Sequence, residues 1–394
     1  MGSVFWYAPF DNAGEMAVAE ALARSPNLDL TVQSISERFG QRLEPRSHAD
    51  FTLVRNLPPP ASERSGGNTV AHRAWTAVER SARRKRLVGQ GSYDLIHLQT
   101  FNPVTDWSAV PRLKRSAPVL VQSVHNVRPH QSVFPHRLET VLLGRGYRAC
   151  SALVVAHDHL GQQLIDDFDV DPTRVHTIPF PITMPLRSPQ QACGVSGKAV
   201  NFLFFGTFRR NKGLTVLLDA IRQLDRRSGR STPARFVIAG RGDADLEAKV
   251  RVAARELKSL TAEIGYVTAN RRQQLYDEAD CVLLPYTSIN AQSGVLYDAY
   301  SQRLPVIASD VGPIGTTVRK HRSGWVVDPD NAASLVDALL SAGGNRQEMT
   351  EAGNRGAAIA EGRTPQLTAK KLELLYNQLL GPPLTRAEQQ SGVG

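Results

Sequence analysis

The chain has 394 residues, of which 41% are hydrophobic and 21% charged, with a formal net charge of +10. That length exceeds one ordinary core and fits two domains of about 150–200 residues, while no apolar run approaches the ~20 residues of a membrane span. The positive balance favours acidic partners such as phosphorylated substrates or anionic lipid, and the absence of aromatic–basic interleaving argues against nucleic acid.

The opening residues, MGSVFWYAPFDNAGE, lack a basic n-region and read as a strand entering a loop, not as a signal peptide. Gly2-Ser3 has the letters of a myristoylation start, but an aromatic strand follows it. Residues 3–9 form the first apolar run, and residues 14–24 have helical spacing through Met16, Val18, Ala19, Ala21 and Leu22. Residues 30–35 are the next expected strand. The run Val78 to Leu87 concentrates basic charge at Arg80, Arg83, Arg84, Lys85 and Arg86. It reads as a solvated helix face, or as a patch that rests weakly on anionic membrane at ~1 kcal/mol per basic residue. Further strand-type runs lie at 94–98, 119–124, 153–156 and 175–178, each ending in a polar loop. Strands alternating with helical stretches predict parallel sheets covered on both faces.

Residues 181–198, rich in Pro, Ser and Gly, read as a linker. A second series then begins with a strand at 202–205. A helix follows through Leu214, Leu217, Leu218 and Ile221, then a strand at 235–239 entering Gly240-Arg241-Gly242. A helix at 275–279 and a strand at 281–284 lead into PYTSINAQSGVLYDAYSQRLPVIASDVG, residues 285–312. This segment predicts a loop, a Ser-Gly turn, a helix from about Val295 and a buried strand at 306–309. Near the end, Leu372, Leu375, Tyr376 and Leu379 make an apolar stripe on a helix after Pro365. Cys150, Cys193 and Cys281 are scattered without metal spacing and fit a reducing cytosol.

In open parallel sheets, ligands bind beyond the carboxyl ends of the strands, so the loops after strands carry the chemistry. Four stand out: the loop at 11–15 with Gly14, His125-Asn126, residues 206–213 with Arg209 and Lys212, and the segment from Pro285. Gly294 lets backbone amides approach a ligand closely, and the following helix aims unpaired N–H groups at whatever lies above Ser293 and Gly294. That suits a phosphate or diphosphate. Each loop alone has a plainer reading: a helix-start glycine, a satisfied structural histidine, a solvated turn. Gly240-Arg241-Gly242 is half a dinucleotide fingerprint and a poor signal. The joint occurrence in this order favours a nucleotide-diphosphate grip.

The joint pattern resembles the retaining, nucleotide-sugar-dependent glycosyltransferases of family 4, which have the GT-B fold. FFGTFRRNKGLTVLLDAI, FVIAGRGD, LYDEADCVLLPY and SGVLYDAYSQRLPVIASDVG carry the resemblance most strongly. Asp94-Leu95-Ile96-His97, Val124-His125-Asn126 and Val175-His176-Thr177-Ile178-Pro179 match landmarks of the first domain. The resemblance implies an α/β protein of two Rossmann-like, doubly wound domains facing across a cleft. The expected boundaries are an acceptor domain at 1–182, a linker at 183–199, a nucleotide-sugar domain at 200–362, and a terminal helix and tail at 363–394 that pack back towards the first domain.

The resemblance implies that Arg209 and Lys212 neutralise the diphosphate, and that Ser293, Gly294, Val295 and Leu296 supply backbone and hydroxyl contacts to phosphate and sugar. Gly14 resembles the glycine that lets the first-domain loop close over the donor, and His125 the histidine near the sugar's reacting face. Tyr266 and Val267 fall where the family seats the nucleobase. Two glutamates eight positions apart are common in the family. Here those positions hold Asn290, which cannot supply a carboxylate, and Asp298, which can accept from ribose hydroxyls with a shorter reach. Thr207 stands where an arginine is usual, with Arg209 expected to replace it, and Gly315 and Thr316 stand near the place of another usual glutamate.

Retention in the family is ascribed to front-face attack, with the leaving phosphate oxygen taking the acceptor's proton, so no nucleophile is required. No cofactor and no metal are expected, because Asp328-Pro329-Asp330 has the Asp-x-Asp letters but reads as a turn before a helix. The expectation is a cytoplasmic hexosyltransferase, peripheral to the inner membrane face if the basic patch engages it. It would use a UDP- or GDP-sugar and a hydroxyl acceptor, with a lipid-linked saccharide or a polysaccharide as candidates. A non-catalytic sugar-nucleotide-binding or regulatory protein on the same scaffold is the alternative.

Overall fold

The computed structural model describes residues 2–8, 13–34, 51–54, 92–99, 110–128, 135–189, 199–228, 234–289 and 293–381. The basic run at 78–87, Cys193 and Asn290 lie outside the described residues. The chain divides into two compact units, the first reaching Pro181 and resuming at Pro365, the second being Ile182–Thr364.

In the first unit the elements run β1 (Gly2–Ala8), α1 (Ala13–Ala23), β2 (Leu28–Ser34), β3 (Phe51–Val54), β4 (Leu95–Leu98), α2 (Val110–Ser116), β5 (Val119–Val124), α3 (His136–Ala149), β6 (Ala152–Val155), α4 (Asp158–Phe168) and β7 (Val175–Thr177). The seven strands form one parallel sheet in the order β3-β2-β1-β4-β5-β6-β7. Successive side chains of a strand point to opposite faces, so a strand buried on both sides must be apolar throughout. β1 obeys this: Val4 and Trp6 join one core with Met16, Ala19 and Leu22 of α1. Phe5 and Tyr7 join the other with Leu113, Leu143 and Tyr147.

The second unit runs β8 (Val200–Phe205), α5 (Leu214–Ser228), β9 (Ala234–Gly240), α6 (Ala244–Glu256), β10 (Leu260–Ile264), α7 (Ala269–Glu278), β11 (Cys281–Leu284), α8 (Gly294–Ser301), β12 (Val306–Ser309), α9 (Gly312–His321), β13 (Gly324–Val327), α10 (Ala332–Gly344) and α11 (Arg346–Glu361). Its six parallel strands take the order β10-β9-β8-β11-β12-β13. Phe202 and Phe204 of β8 enter one core with Cys281 and Leu283 of β11, while Leu203 enters the other with Val282 and Leu284. The strand order reverses between β8 and β11, which opens a crevice at their carboxyl ends. Both units are therefore Rossmann-like, doubly wound sheets.

Residues 183–189, read from the sequence as part of a linker, are hydrogen-bonded to the rest of the second unit. Arg187 N–H donates to Ser301 O at 2.8 Å, Gln302 Nε2 donates to Pro185 O at 2.7 Å, and the Arg187 guanidinium pairs with Asp277. Pro and Ser content marks irregular backbone, but it does not reveal that such backbone finds partners on a neighbouring surface.

The terminal helix α12 (Pro365–Leu380) belongs to the first unit. Its stripe of Ala369, Leu372, Leu375 and Tyr376 shares the core of Val4, Trp6 and Leu22. Tyr376 OH is hydrogen-bonded to His97 Nδ1 at 2.5 Å, and His97 Nε2 to Ser123 Oγ at 2.9 Å. Burial pushes the His97 imidazole down to about 3, so it is neutral at ordinary pH and spends both nitrogens inside the protein. Among the described residues no helix is long and apolar enough to cross a membrane.

Candidate functional site

In the second unit, the loops after β8, β9, β10 and β11 form one continuous rim. β8 and β11 are neighbours, so their loops are too. They are also stitched together, with Thr287 N–H donating to Asn211 O and Asn211 Nδ2 to Ser288 O, both at 3.0 Å. Gly213 sits at the closest approach, with φ of +69°, and a Cβ there would fall 1.7 Å from Pro285 O. Only glycine permits that conformation and that contact. On the other side, Phe208 N–H donates to Arg241 O and Asp243 N–H to Phe208 O, both at 2.9 Å.

Arg209 and Lys212 bracket the short 3-10 turn Arg210–Lys212 between β8 and α5. Arg209 is exposed and Lys212 half-buried, and among the described residues neither has an acidic partner. Burial first, and the Arg209 charge second, pull the Lys212 ammonium down to about 8. Its Nζ lies 3.7 Å from the centroid of the Tyr286 ring, close enough for a cation–π contact. Tyr286 is buried, and its OH is hydrogen-bonded to Ser293 Oγ at 3.1 Å. Burial raises the phenol to about 12.

Ser293 is the N-cap of α8, yet its side chain makes no capping bond. Leu296 N–H donates to Ser293 O at 3.1 Å and its side chain lies in the core, so this residue is engaged within the fold. Gly294 and Val295 remain as first-turn amides without a backbone acceptor among the described residues. Among the described residues, its chain neighbours and its own helix backbone aside, a Cβ at Gly294 would have no heavy atom within 4 Å, and the Val295 side chain packs beside Gly206. Lys212 and the Ser293 hydroxyl thus meet at Tyr286, next to the first-turn amides of Gly294 and Val295, and the Arg209 charge acts on Lys212.

Asp298, one turn further along α8, is buried. Its carboxylate accepts from Thr183 Oγ1 at 2.6 Å and lies 3.7 Å from Arg272 Nη1. Burial raises its pKa, against the opposing pull of Arg272 and Thr183. Tyr266, beyond β10, is 61% exposed, and the Arg241 guanidinium lies 5.6 Å from its ring centroid. Val267 packs partly against the core. Arg241 sits in the Gly-Arg-Gly turn that carried little weight in the sequence, and only the fold shows it beside Tyr266.

In the first unit the structure brings Gly14 and His125 together. Gly14 is buried at the start of α1, next to Glu15, and Glu15 Oε1 lies 3.6 Å from His125 Nε2. His125 Nε2 is 3.0 Å from Gln99 O, so this nitrogen carries the proton and donates it, leaving Nδ1 as the basic nitrogen. The Phe180 ring packs on the imidazole at 4.3 Å, and burial lowers the His125 pKa. Glu15 was not singled out in the sequence, although an acid beside the helix-start glycine is a visible signal. Among the described residues no cluster of three or more His, Cys, Asp or Glu is arranged to hold a metal ion.

Comparison with known proteins bears on the family and the fold. Residues 17–183 match the family model described as Glycosyltransferase Family 4, and residues 199–345 match Glycosyl transferases group 1. The chain is 23% identical to an uncharacterized glycosyltransferase of Methanocaldococcus jannaschii over 296 residues, 70% of this chain and 73% of that protein. It is 29% identical to the D-inositol 3-phosphate glycosyltransferase of Geodermatophilus obscurus over 220 residues, 50% of this chain but only 46% of that relative. The crystal structure of Anabaena HepE in complex with UDP is similar in fold, with a TM-score of 0.67 and 16% identity, covering 96% of this chain and 100% of that one. With two family models in register along its length and two Rossmann-like sheets of matching topology, the chain belongs to the family 4, group 1 glycosyltransferases of the GT-B fold.

Proposed function

We propose that the protein is a retaining hexosyltransferase that takes its sugar from a UDP- or GDP-sugar and delivers it to a hydroxyl acceptor. The observation that carries this reading is the placement of Lys212 on Tyr286 and of Tyr286 on Ser293, at the start of α8 where Gly294 and Val295 are first-turn amides, with the Arg209 charge acting on Lys212 and no acidic partner for either cation among the described residues. Such a group suits a diphosphate. Departure of the nucleotide adds negative charge there, so these donors stabilise the transition state more than the ground state. HepE, similar in fold, was crystallised with UDP and with UDP-glucose, which supports testing uridine donors first.

Arg241 and Tyr266 offer a stacking surface for the base, with Val267 behind them. His125, held by Gln99 and Glu15 with Nδ1 basic, is suited to a hydrogen bond with a sugar hydroxyl as the bond to phosphate weakens. The leaving phosphate oxygen takes the acceptor's proton in this scheme, and no metal is needed. A lipid-linked saccharide is the acceptor class in keeping with the positive charge of the chain, for polysaccharide or glycolipid assembly at an anionic membrane surface.

A second reading, a sugar-nucleotide-binding regulator without turnover, is favoured by one observation. The Asp298 carboxylate is already engaged by Thr183 and Arg272. Thermal-shift measurement against a panel of nucleotide sugars identifies the donor, because bound ligand stabilises by RT ln(1 + [L]/Kd). Hydrolysis or transfer of that donor, with the product anomer read by NMR, then decides between the readings. Binding without any turnover would favour the regulator, and an inverted anomer would remove retention.

A further inference from the structure

We propose that Tyr286 is the positioning residue of the diphosphate grip, steering Lys212 with its ring and Ser293 with its hydroxyl. The inference rests on the donor-binding reading above and concerns how that site is assembled. Three observations carry it. Lys212 Nζ stands 3.7 Å from the ring centroid, so the ammonium rests on the negative face of the ring instead of reaching into water. Tyr286 is buried and its OH lies 3.1 Å from Ser293 Oγ, a hydrogen bond in which either hydroxyl is able to donate. The backbone on either side is held rigidly, by Thr287 N–H to Asn211 O and by the close packing of Gly213 on Pro285 O.

The direction of the Tyr286–Ser293 bond follows from the anion. A phosphate oxygen can only accept, so Ser293 must donate to it. Ser293 can donate outward while still bonded to Tyr286 only if Tyr286 O–H donates to Ser293 Oγ. The phenol, raised by burial, stays protonated over the whole working range of pH and can hold that role. Ser293 makes no capping bond to α8, which leaves its own hydrogen for the ligand. The ring holds Lys212 in place without neutralising it, as a carboxylate would. The charge therefore remains available to a diphosphate, and Arg209 is the other charged group acting on it. One aromatic side chain thus sets two donors contributed by different loops.

The test uses the full-length protein and UDP, or GDP if that is the nucleotide the wild type binds. Tyr286→Phe keeps the ring and removes only the hydroxyl, and Tyr286→Leu removes both. Tyr286→Phe should weaken nucleotide binding by about three- to tenfold, the value of one hydrogen bond. Ser293→Ala should then cost much less in the Tyr286→Phe background than in the wild type, because the two act as one unit. Tyr286→Leu should also move the midpoint of the pH dependence of nucleotide binding, which Tyr286→Phe should leave in place. A purely structural role would lower thermal stability without coupling to Ser293 and without moving that midpoint. If the wild type binds nucleotide but Tyr286→Phe binds equally well and Ser293→Ala is fully additive, the positioning role is overturned while the donor site stands. If the wild type binds no nucleoside diphosphate, both fall. Tyr286→Phe is isosteric apart from one oxygen, so the test survives a failure of Tyr286→Leu to fold.

Discussion

Gly294→Ala separates the needs of the fold from the needs of the ligand. Among the described residues, its chain neighbours and its own helix backbone aside, a Cβ at this position would meet no heavy atom within 4 Å, and Gly294 is the first residue of α8 without a left-handed backbone. Alanine also restricts the unfolded chain, so the substitution should leave stability unchanged or raise it by up to about 1 kcal/mol. For a unit of this size that is a rise of at most about 2–4 °C in Tm. The ligand meets a different situation. A phosphate oxygen bonded to the Gly294 or Val295 amide stands about 2.9 Å from the nitrogen, and a methyl group beside that approach displaces it. Losing one charge-assisted hydrogen bond costs about 1.5–3 kcal/mol, or roughly ten- to a hundredfold in affinity. Calorimetric titration with UDP or GDP, alongside differential scanning fluorimetry of the unliganded protein, reads both quantities. Affinity equal to wild type in a protein of equal Tm would mean that no diphosphate rests on α8, and a fall in Tm would contradict the open space above Gly294.

Lys212→Met should abolish tight donor binding yet raise Tm at pH 7. The folded protein holds the ammonium at about 8 against 10.5 for a free lysine, a penalty of roughly 3 kcal/mol. The sign follows from proton uptake: the penalty is complete below about pH 8 and fades towards pH 10.5, where the unfolded chain still binds the proton. The Tm advantage of Lys212→Met should shrink over that window, and a lower Tm at pH 7 would refute the assignment. Asp298→Ala should destabilise by about 3 kcal/mol in urea, because Arg272 and Thr183 lose a buried partner, whereas Asp298→Asn should lose less by keeping the Thr183 bond. Transfer activity should survive excess EDTA, and loss that Mn²⁺ restores would reverse the metal-independent scheme.

The legible parts of the fold were the strands buried on both faces. VLVQSV, CVLL and VIAS are nearly uninterrupted apolar runs, and their bounds in the structure, Val119–Val124, Cys281–Leu284 and Val306–Ser309, are those expected from sequence. Edge strands gave less. β3 is four residues at the margin of its sheet, and β10, LTAEI, fully buries only Leu260, so neither stands out from a loop. In the site, Gly294 and the two cations were legible because glycine and charge after a strand have few structural uses. Tyr286 was not, since an aromatic next to a buried strand reads as core until Lys212 is seen resting on it. Asp298 was visible as a carboxylate, but its engagement by Thr183 and Arg272 depends on how residues 183–189 lie against α7 and α8.

The first unit is interrupted by the whole of the second, and its last helix completes a core begun by its first strand. During vectorial synthesis on the ribosome, Trp6, Leu22 and Val154 therefore wait for Leu372, Leu375 and Tyr376 to emerge before their apolar surface is sealed. The continuous second unit can close as soon as it is made, so the part translated first is the part finished last. Chains cut short before Pro365 would carry an unsealed hydrophobic face and a His97 without its tyrosine, a natural handle for chaperones and proteases.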